Sequence, residues 1–588
     1  MGRNSHQVSG ETNSRHYFDQ EIGSVKKKWK DKLPVALIYP NRYNLGMSNL
    51  GLQLVYRLLN QDPSIVAERV FLPASGTKPL SVESGRPLSD FPLLLFSISF
   101  EQDYQHLVAL LDMVGIPPLT VNRTKQCQKI SAKRQNGLPL VIAGGVATFI
   151  NPEPLAPFVD LFIIGEAEPV LPQVMTQISA DIDTIDKENL LLKLASTFSS
   201  CYVPSFYEEK YGSKGQLLSI SPKAGFNSIP ERIKKVTLPS PGEFAGHSEI
   251  LTPEAEFSDL FMTELGRGCS RGCRFCAAGF IYRPPRLWSA DSIVNSLATR
   301  PDRSKRVGLL GMEMARSENL VQIADFLLEE SCSLSFSSLR ADKISPSLLK
   351  LLGKSNLKSA AIAPDGASER LRRVINKGIT EKDVLLAAEN LIISGIKNLK
   401  LYFMIGLPTE TSADLEEMVD LIKKVKAKML ELGRIKGQLS NLTLSVNCFI
   451  PKPWTPFQFH PVDPVATWKQ KLKFLRSKIA GEPNIKFNNE KPENAFFQAV
   501  LARGDRQVGK ALLTMVQNRC TWKQAFKVEH INAEDYVLRK RTLEEVFPWE
   551  IIDHGIDRKY LWAEYKKALL GKKTVPCDTD KCKRCGVC

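Results

Sequence analysis

Three cysteines in one short loop are the residues of this sequence best suited to chemistry. Cys269, Cys273 and Cys276 follow the spacing Cys-x3-Cys-x2-Cys. Thiolates this close together can each bind one iron of a [4Fe–4S] cluster, and the fourth iron then stays open to chelate a small molecule. Gly268 and Gly272 permit the backbone turns that point three sulfurs at one centre. A structural zinc site would take four ligands, and no histidine or fourth cysteine lies nearby in the sequence.

Four further cysteines within residues 577–588 form a second group suited to a metal. Cys577, Cys582, Cys585 and Cys588 can close a tetrahedral zinc site or hold an iron–sulfur cluster. Their number and spacing do not decide between the two, but exposed thiols without a metal would oxidise readily. The other five of the 12 cysteines are scattered, and each is predicted to be a small buried hydrophobe: Cys127, Cys201, Cys332, Cys448 and Cys520.

The composition is that of a globular protein with several domains. The chain has 588 residues, of which 43% are hydrophobic and 24% charged, and this is too long for one hydrophobic core. Residues 1–15 are polar, so no secretory signal is predicted, and the longest apolar stretch, near residues 91–100, is too short to span a membrane. With cysteines suited to metals rather than disulfides, these features predict a cytoplasmic protein without a membrane span.

The net charge of +16 is spread along the chain. Basic clusters at residues 26–28 and 539–541, and Lys581, Lys583 and Arg584 beside the second cysteine group, can bind nucleic acid. Such clusters are more often solvated faces of ordinary domains. A nucleic-acid- or ribosome-binding protein, with purely structural iron–sulfur clusters, is therefore the alternative to an enzyme.

Buried strands alternate with helices in the N-terminal third of the chain. This alternation predicts an α/β fold, with a doubly wound, Rossmann-like parallel sheet over residues 33–182 behind a polar, basic arm at residues 1–32. Ligands of such sheets bind beyond the carboxyl ends of the strands. The candidate binding loops are residues 40–51, 99–102, 144–154 and 165–168.

A second strand–helix series follows a proline-rich connector at residues 183–256, which is expected to carry a small hairpin. Six predicted strands over residues 257–480 indicate a partial (β/α)6 barrel, with its chemistry at the carboxyl ends of the strands. The three loop cysteines follow the first of these strands. A helical region at residues 481–570 and the cysteine-rich segment at residues 571–588 complete the predicted organisation.

The cysteine loop resembles the signature of the radical S-adenosylmethionine (SAM) superfamily, including the aromatic Phe275 before its last cysteine. Several N-terminal motifs are similar to those of uncharacterised B12-binding-domain radical SAM proteins, and the resemblance runs over most of the chain. It implies a [4Fe–4S] cluster on the three loop cysteines, SAM at the open iron, and a cobalamin-binding N-terminal domain. The histidine-bearing loop that ligates cobalt in some B12 folds is absent. The N-terminal motifs are YPNRYNLGMSNLG at 39–51, AERVF at 67–71, GG at 144–145, NPEP at 151–154 and IGEAE at 164–168.

The resemblance also implies which residues contact the cofactors. Arg340 would pair with the SAM carboxylate, although a structural ion pair is an equal alternative. Asp365 and Ser368 would contact the ribose or amino group, although a helix N-cap explains Ser368 as well. Phe275 lies in the cluster loop, and Ile405 and Gly406 would flank adenine. On the cobalamin side the candidates are Gly46, Ser48, Gly51, Gly144, Gly145, Gly165 and Glu166.

The implied activity is reductive cleavage of SAM to a 5′-deoxyadenosyl radical that abstracts hydrogen from an unreactive carbon. Bound cobalamin would make methyl transfer to that carbon the natural outcome, so the chain is expected to be a transferase. A methylthiotransferase-like enzyme is the alternative, suggested by the stretch at residues 364–371. The expected partners are an external one-electron donor of the flavodoxin or ferredoxin type and a substrate that the sequence does not identify, with RNA and protein among the classes considered.

Overall fold

The computed structural model describes residues 16–126, 137–213, 215–239, 242–311, 317–336, 338–355, 357–437, 439–579 and 581–588. Cys127, one of the scattered cysteines, lies outside these residues. Of the other four, Cys201, Cys332 and Cys448 are buried and Cys520 is half-buried. Within the described residues, no helix combines the length and the apolar character needed to cross a membrane.

Six strands form the N-terminal sheet in the order β2-β1-β3-β4-β5-β6. The first five are parallel and β6 is antiparallel to β5, so the predicted doubly wound architecture is confirmed. Every residue of the first strand is buried, as expected for a strand covered by helices on both faces. The strands are β1 (Leu33–Tyr39), β2 (Ile65–Phe71), β3 (Leu93–Ser97), β4 (Leu140–Gly144), β5 (Leu161–Ile163) and β6 (Cys201–Tyr202).

Seven helices lie among these strands and extend into the predicted connector. The connector also contains a hairpin of β7 (Tyr207–Tyr211) and β8 (Leu217–Pro222), and a short strand β9 (Ile233–Lys234). The hairpin was expected, whereas β6 and the last helix were not. The helices are α1 (Tyr43–Met47), α2 (Leu50–Gln61), α3 (Tyr104–Met113), α4 (Thr120–Gln126), α5 (Val146–Ile150), α6 (Leu171–Asp181) and α7 (Lys187–Thr197).

The central domain is an open barrel of parallel strands in two connected sheets. One sheet has the order β10-β13-β14, the other β15-β16-β17-β18, and a parallel bridge between Leu339 and Ile362 joins them. A two-stranded ribbon, β11-β12, follows the first strand. The strands are β10 (Phe261–Glu264), β11 (Gly266–Arg267), β12 (Arg286–Leu287), β13 (Arg306–Leu310), β14 (Ser333–Phe336), β15 (Ser359–Asp365), β16 (Asn398–Ile405), β17 (Asn441–Cys448) and β18 (Ile485–Asn489).

The barrel therefore has one parallel strand more than the six that were predicted. Strand β18 pairs with β17 and lies beyond residue 480, where the barrel was expected to end. Its residues alternate between half-buried and exposed, so it lacks the continuous apolar run that marks the other strands. The helices of this part are α8 (Ala278–Ile281), α9 (Ala290–Ala298), α10 (Ser317–Glu329), α11 (Pro346–Lys354), α12 (Glu369–Val374), α13 (Glu381–Ile393), α14 (Ser412–Ile435) and α15 (Val465–Ile479).

A helical region packs the barrel against the N-terminal domain. The Asn151 amide donates hydrogen bonds to the carbonyls of Ala502 (3.1 Å) and Gly504 (2.8 Å), and Arg506 pairs with Glu153 at 2.9 Å. These contacts join the helical region to the N-terminal domain. The elements are α16 (Pro492–Arg503), α17 (Arg506–Gln517), α18 (Trp522–Val528), α19 (Ala533–Val537), β19 (Ile552–Asp553), which pairs with β9, and α20 (Arg558–Leu569).

Candidate active site

The cysteine loop leaves the carboxyl end of β10, where a barrel enzyme carries its chemistry. Gly268 and Gly272 both have positive φ angles, 87° and 67°, a conformation that favours glycine. A Cβ atom on Gly268 would lie 2.6 Å from the carbonyl oxygen of Tyr282. The backbone at this position thus requires glycine, which supports the predicted role of the two residues in folding the loop.

The three loop thiols lie close enough to influence one another. Burial, together with the neighbouring Cys273 and Cys269, raises the pKa of the Cys276 thiol to about 12. Burial also raises the pKa of Cys273, against the effect of the cations Lys377 and Arg340. A buried thiol that keeps its proton is a poor nucleophile, whereas a bound metal deprotonates it outright. The chemistry of this donor set therefore fits metal ligation better than nucleophilic catalysis.

Neither cysteine group is engaged in disulfides in the part of the chain that the structure describes. Among the same residues, no three histidine, cysteine, aspartate or glutamate side chains are already arranged to hold a metal ion. The assignment of both groups as ligands therefore stands on the chemistry of the thiols and on their proximity.

A charged cluster lies beside Cys273. Lys377 and Asp365 form an ion pair at 2.6 Å, and burial raises the pKa of Asp365 although Lys377 opposes the shift. Arg340 pairs with Asp342 at 2.7 Å and donates a hydrogen bond to the carbonyl of Lys377. The structure thus brings the predicted Arg340 and Asp365 to the cysteine loop, and Arg340 also makes the ion pair that was the alternative interpretation.

Lys377 was not singled out in the sequence, although it completes this cluster. It follows helix α12 in the loop Asn376-Lys377-Gly378, where Asn376 and Gly378 both have positive φ angles. Asp365 has a φ of 63°, which is uncommon for a residue with a side chain and occurs often at functional sites. A loop after the helix of the fourth barrel strand could have been searched for a cation, but no motif pointed to this one.

The remaining predicted SAM-contacting residues have structural partners. Ser368 is buried and caps α12, since its hydroxyl accepts the Leu371 N–H at 3.0 Å, and it also donates to Asp414. This contact is the N-cap that the sequence offered as the alternative. Ile405 is buried at the end of β16, and Gly406 follows with a φ of 81°.

Gly406 is required by close packing. A Cβ atom there would lie 2.5 Å from the indole nitrogen of Trp468, and the Gly406 N–H binds Glu410 at 3.0 Å. Phe275 is half-buried and packs against the main hydrophobic core. Phe275 belongs to the cysteine loop, and Gly406 lies at the carboxyl end of β16.

The segment at residues 571–588 packs directly onto the cysteine loop. The Cys577 N–H donates to the Ser270 carbonyl at 2.7 Å. Arg274, fully buried within the loop, donates to the Lys572 carbonyl (2.8 Å), the Thr574 hydroxyl (3.1 Å) and the Glu564 carboxylate (3.1 Å). The two cysteine groups are therefore neighbours in the fold although they are far apart in the sequence.

The four thiols of the second group also lie near one another. Burial raises the pKa of Cys577 to about 11, and Cys582 and Cys588 contribute to the shift. Arg584 donates to the Cys582 sulfur at 3.1 Å. A small cavity between this group and the cysteine loop is lined by Ser270, Gly272, Arg283, Tyr560, Thr574, Val575, Cys577, Cys582, Arg584 and Cys585.

A separate cavity of about 270 Å³ opens at the carboxyl ends of the N-terminal strands. Part of its lining is apolar and comes from the sheet and from helices α2 and α6, with Leu54, Val55, Leu95, Ile142, Ile163 and Leu171. Five predicted residues line the same cavity: Gly51, Gly144, Gly145, Gly165 and Glu166.

Two other predicted residues of the first loop do not line this cavity. Gly46 is packed so that a Cβ atom would lie 2.3 Å from the Phe71 ring, and the Ser48 hydroxyl donates to the Asn44 carbonyl at 2.9 Å. Gly46 belongs to helix α1 and Ser48 is its C-cap, and their contacts are those of a tightly packed segment.

The polar part of the cavity lining comes in part from the connector and the barrel. His247, Glu249, Glu264 and Arg267 belong to it, and none was singled out from the sequence. The Nδ1 atom of His247 lies 2.8 Å from the Ala245 carbonyl, an arrangement that leaves its other ring nitrogen next to Glu249 at 3.9 Å. The sequence carried no signal for this histidine, because it lies outside the loops of the N-terminal sheet.

A buried ion network reaches the cavity lining through Glu166 and Arg267 and joins the two domains. Glu166 of the N-terminal domain pairs with Arg286 at 2.5 Å and with Arg267 at 3.2 Å, both from the barrel. Burial opposes ionisation of Glu166, but the two arginines hold its pKa below the ordinary range. We call these three residues the domain junction.

Two family descriptions match the chain. "Radical SAM proteins, N-terminal" matches residues 51–204, and "Radical SAM superfamily" matches residues 263–422. The first range covers the N-terminal sheet from β2 to β6, and the second contains all three loop cysteines. The chain belongs to the radical SAM superfamily of enzymes, with an additional N-terminal domain ahead of its barrel.

The individual proteins that the chain resembles have low sequence identity to it. An uncharacterized protein of Methanocaldococcus jannaschii is 28% identical over 480 residues, which are 81% of this chain and 90% of that protein. The cobalamin-dependent SAM radical enzyme OxsB with aqua-cobalamin bound is 14% identical at a TM-score of 0.47, covering 75% of this chain and 62% of its own. SuiB of Streptococcus suis bound to SAM is 15% identical at a TM-score of 0.28, covering 39% and 50%. These structures resemble parts of the chain.

Proposed function

We propose that the chain binds a [4Fe–4S] cluster through Cys269, Cys273 and Cys276 and cleaves SAM reductively. The observation that carries this proposal is the three-thiol loop at the carboxyl end of β10, with two cations beside Cys273. When bound and reduced, the cluster supplies the one electron that cleaves SAM into methionine and a 5′-deoxyadenosyl radical.

The residues of this chain would hold and tune that centre. Lys377 and Arg340 carry two positive charges next to the Cys273 sulfur, and they favour the thiolate and an anionic cluster. Asp365 and Asp342 each pair with one of these cations and so fix their positions.

We further propose that the N-terminal cavity accepts the nucleotide tail of a cobalamin. About 270 Å³ is at the lower limit of ligand pockets, so it suits a flat heterocyclic base and not a whole corrin ring. The apolar slot between α2, α6 and the sheet would take this base. A corrin at the polar part of the lining, which includes the barrel residues Glu264 and Arg267, would face the barrel, and methyl transfer to a substrate carbon is the reaction that this arrangement favours.

A transferase with two oxygen-sensitive cofactors needs a reducing compartment and an external one-electron donor. We therefore propose a cytoplasmic enzyme that receives electrons from a flavodoxin- or ferredoxin-type protein.

The test of the radical SAM activity uses anaerobically reconstituted protein with dithionite and SAM. We expect 5′-deoxyadenosine from the wild type and from Cys520→Ala, whose half-buried thiol lies outside both cysteine groups. Cys269→Ala should abolish the nucleoside. If the wild type, with its iron bound, forms no 5′-deoxyadenosine, the proposal is wrong.

The cobalamin proposal is tested with a variant of a residue that lines the apolar slot. Val55→Phe fills the apolar part of the cavity, whereas Leu58→Phe makes a similar change on the same helix away from the lining. We expect the visible spectrum of bound cobalamin to disappear only in the first variant, while both retain nucleoside formation. A wild type that takes up no cobalamin would remove the methyl-transfer proposal and leave the radical enzyme.

A further inference from the structure

The four cysteines of residues 577–588 lie against the cluster loop, and this position suggests a role. We propose that this segment holds a second iron–sulfur cluster that passes electrons to the cluster on Cys269, Cys273 and Cys276. We also propose that its basic outer face binds an acidic one-electron donor protein. The inference rests on the proposed SAM cleavage and names the route by which its electron arrives. One electron leaves the donor, reduces the second cluster and then the first, and no bond is made or broken on the way.

The backbone contact places the two cysteine groups at short range. The hydrogen bond from the Cys577 N–H to the Ser270 carbonyl is 2.7 Å long. Adding standard backbone bond lengths and one Cα–Cα step bounds the distance between the Cα atoms of Cys577 and Cys269 at about 11 Å. Electron transfer between protein-bound centres falls steeply with distance, so two clusters this close exchange electrons readily.

Several buried hydrogen bonds hold this distance constant. Arg274 joins the loop to Lys572 and Thr574, as described above, and the Asn376 amide donates to the Thr574 carbonyl at 3.1 Å and to the Gly272 carbonyl at 3.3 Å. The Cys585 carbonyl in turn accepts the Asp557 N–H at 2.8 Å. A segment fixed against the loop near its start, and against the residue that precedes α20 near its end, suits a relay, because the rate depends on a stable separation.

Two arginines provide the positive charge that an anionic cluster needs in its surroundings. Arg283 contacts Cys585 and is held over the Phe280 ring at 4.3 Å. Arg584 donates to the Cys582 sulfur and to the Val575 carbonyl, both at 3.1 Å. The same residues would offset the thiolates of a zinc site, so the choice between iron and zinc falls to the experiment below.

The outer face of the segment is exposed and basic. Cys588 is exposed, whereas the three loop cysteines are half-buried, so a protein donor reaches the second group first. Residues 572–588 contain five basic and two acidic side chains. Opposite charge on the donor would steer it to this face and accelerate the encounter. The exposed basic residues are Lys572, Lys573, Lys581, Lys583 and Arg584.

The first experiment measures iron content and electron paramagnetic resonance of the anaerobically reconstituted, reduced protein. We expect about eight irons per chain in the wild type and in Cys520→Ser, and about four in the double variant Cys577→Ser/Cys588→Ser. The wild-type spectrum should show the broadening of two interacting paramagnets, and the double variant the narrow signal of one. Zinc in place of the second cluster, or two clusters without magnetic interaction, would overturn the relay.

The second experiment compares reductants. With dithionite, the double variant should form 5′-deoxyadenosine within about twofold of the wild-type rate, because a small reductant needs no docking face. With a reduced bacterial flavodoxin as the electron donor, we expect the rate to fall by about tenfold or more, since the cluster that accepts the donor's electron is lost. Equal flavodoxin-driven rates in the two proteins would refute the inference.

A charge variant separates docking from the cluster itself. Lys581→Glu/Lys583→Glu should keep the iron content and the dithionite rate, and should slow only the flavodoxin-driven reaction and weaken its dependence on salt. The control is Lys473→Glu/Lys478→Glu, two exposed lysines on α15. An equal effect in both charge variants would contradict a specific docking face. Failure of the wild type with dithionite would instead refute the proposed SAM cleavage, while iron content and magnetic interaction would still decide whether the second cluster is a relay.

Discussion

Removal of the Arg274 side chain should release residues 571–588 from the cysteine loop. The guanidinium is fully buried and its partner Glu564 is 3% exposed. Breaking a buried ion pair from one side costs about 3–5 kcal/mol, because the remaining charge loses its partner. Glu564 keeps Lys567 at 2.9 Å and the Thr574 hydroxyl at 2.7 Å, which favours the lower end of that range.

The loss of the Arg274–Glu564 pair can be measured as more frequent local opening of residues 571–588. At 1.4 kcal/mol per factor of ten, Arg274→Met should raise the equilibrium for detachment of the segment by roughly a hundredfold or more. Hydrogen exchange followed by mass spectrometry on peptides from residues 571–588 would report it as faster exchange, with wild type and variant in the same state of metal loading.

Arg373→Met is the matched control. Arg373 lies close by on α12, but its ion pair with Glu369 at 3.4 Å is solvent-exposed on both sides, and such pairs contribute at most about 1 kcal/mol. We expect its exchange to stay near the wild-type rate. If Arg274→Met also exchanges within about threefold of wild type, the buried pair does not hold the segment and the reasoning fails.

Three further changes test other parts of the structure. Burial lowers the pKa of His554 to about 3. The folded protein therefore keeps its full stability above pH ~6.5 and loses stability as the pH falls below that value, by about 2 kcal/mol at pH 5. His554→Gln should reduce the difference between the melting temperatures at pH 5 and pH 7.5. Lys377→Met removes a positive charge beside Cys273 and should make the reduction potential of the reconstituted cluster more negative, as a redox titration would show. An unchanged potential would mean that the charge of Lys377 does not act on the cluster. Glu166→Gln leaves Arg286 without its buried partner and should cost about 3 kcal/mol, seen as a lower melting temperature; an unchanged temperature would argue against a closed junction.

The strands were predicted best where burial is complete. Strand β1 (Leu33–Tyr39) belongs to the sheet that was predicted over residues 33–182, and it is buried throughout, because a strand covered on both faces is an uninterrupted apolar run. Strand β18 was not predicted, since half of its side chains face solvent and its sequence, IKFNN, ends in two asparagines. The pattern of burial, and not the class of fold, therefore decided which elements the sequence reveals.

The candidate site was likewise predicted only in part. The cysteine loop is local in sequence, so its spacing alone indicates its chemistry. The partners of Arg274 are 290 residues (Glu564) and 300 residues (Thr574) away along the chain, and no short-range pattern can signal such a contact. Lys377 and His247 likewise reach their sites only because the barrel and the connector pack as they do.

The domain junction has a consequence for the time course of ligand exchange. A ligand too large for the open side of the cavity can enter or leave only if the N-terminal domain separates from the barrel, and this movement pulls Glu166 away from Arg267 and Arg286. This movement also breaks the buried contacts between the helical region and the N-terminal domain, such as those of Asn151 with Ala502 and Gly504, so opening is rare. Such a ligand would stay bound through many catalytic cycles and would be acquired once, when the two domains first come together.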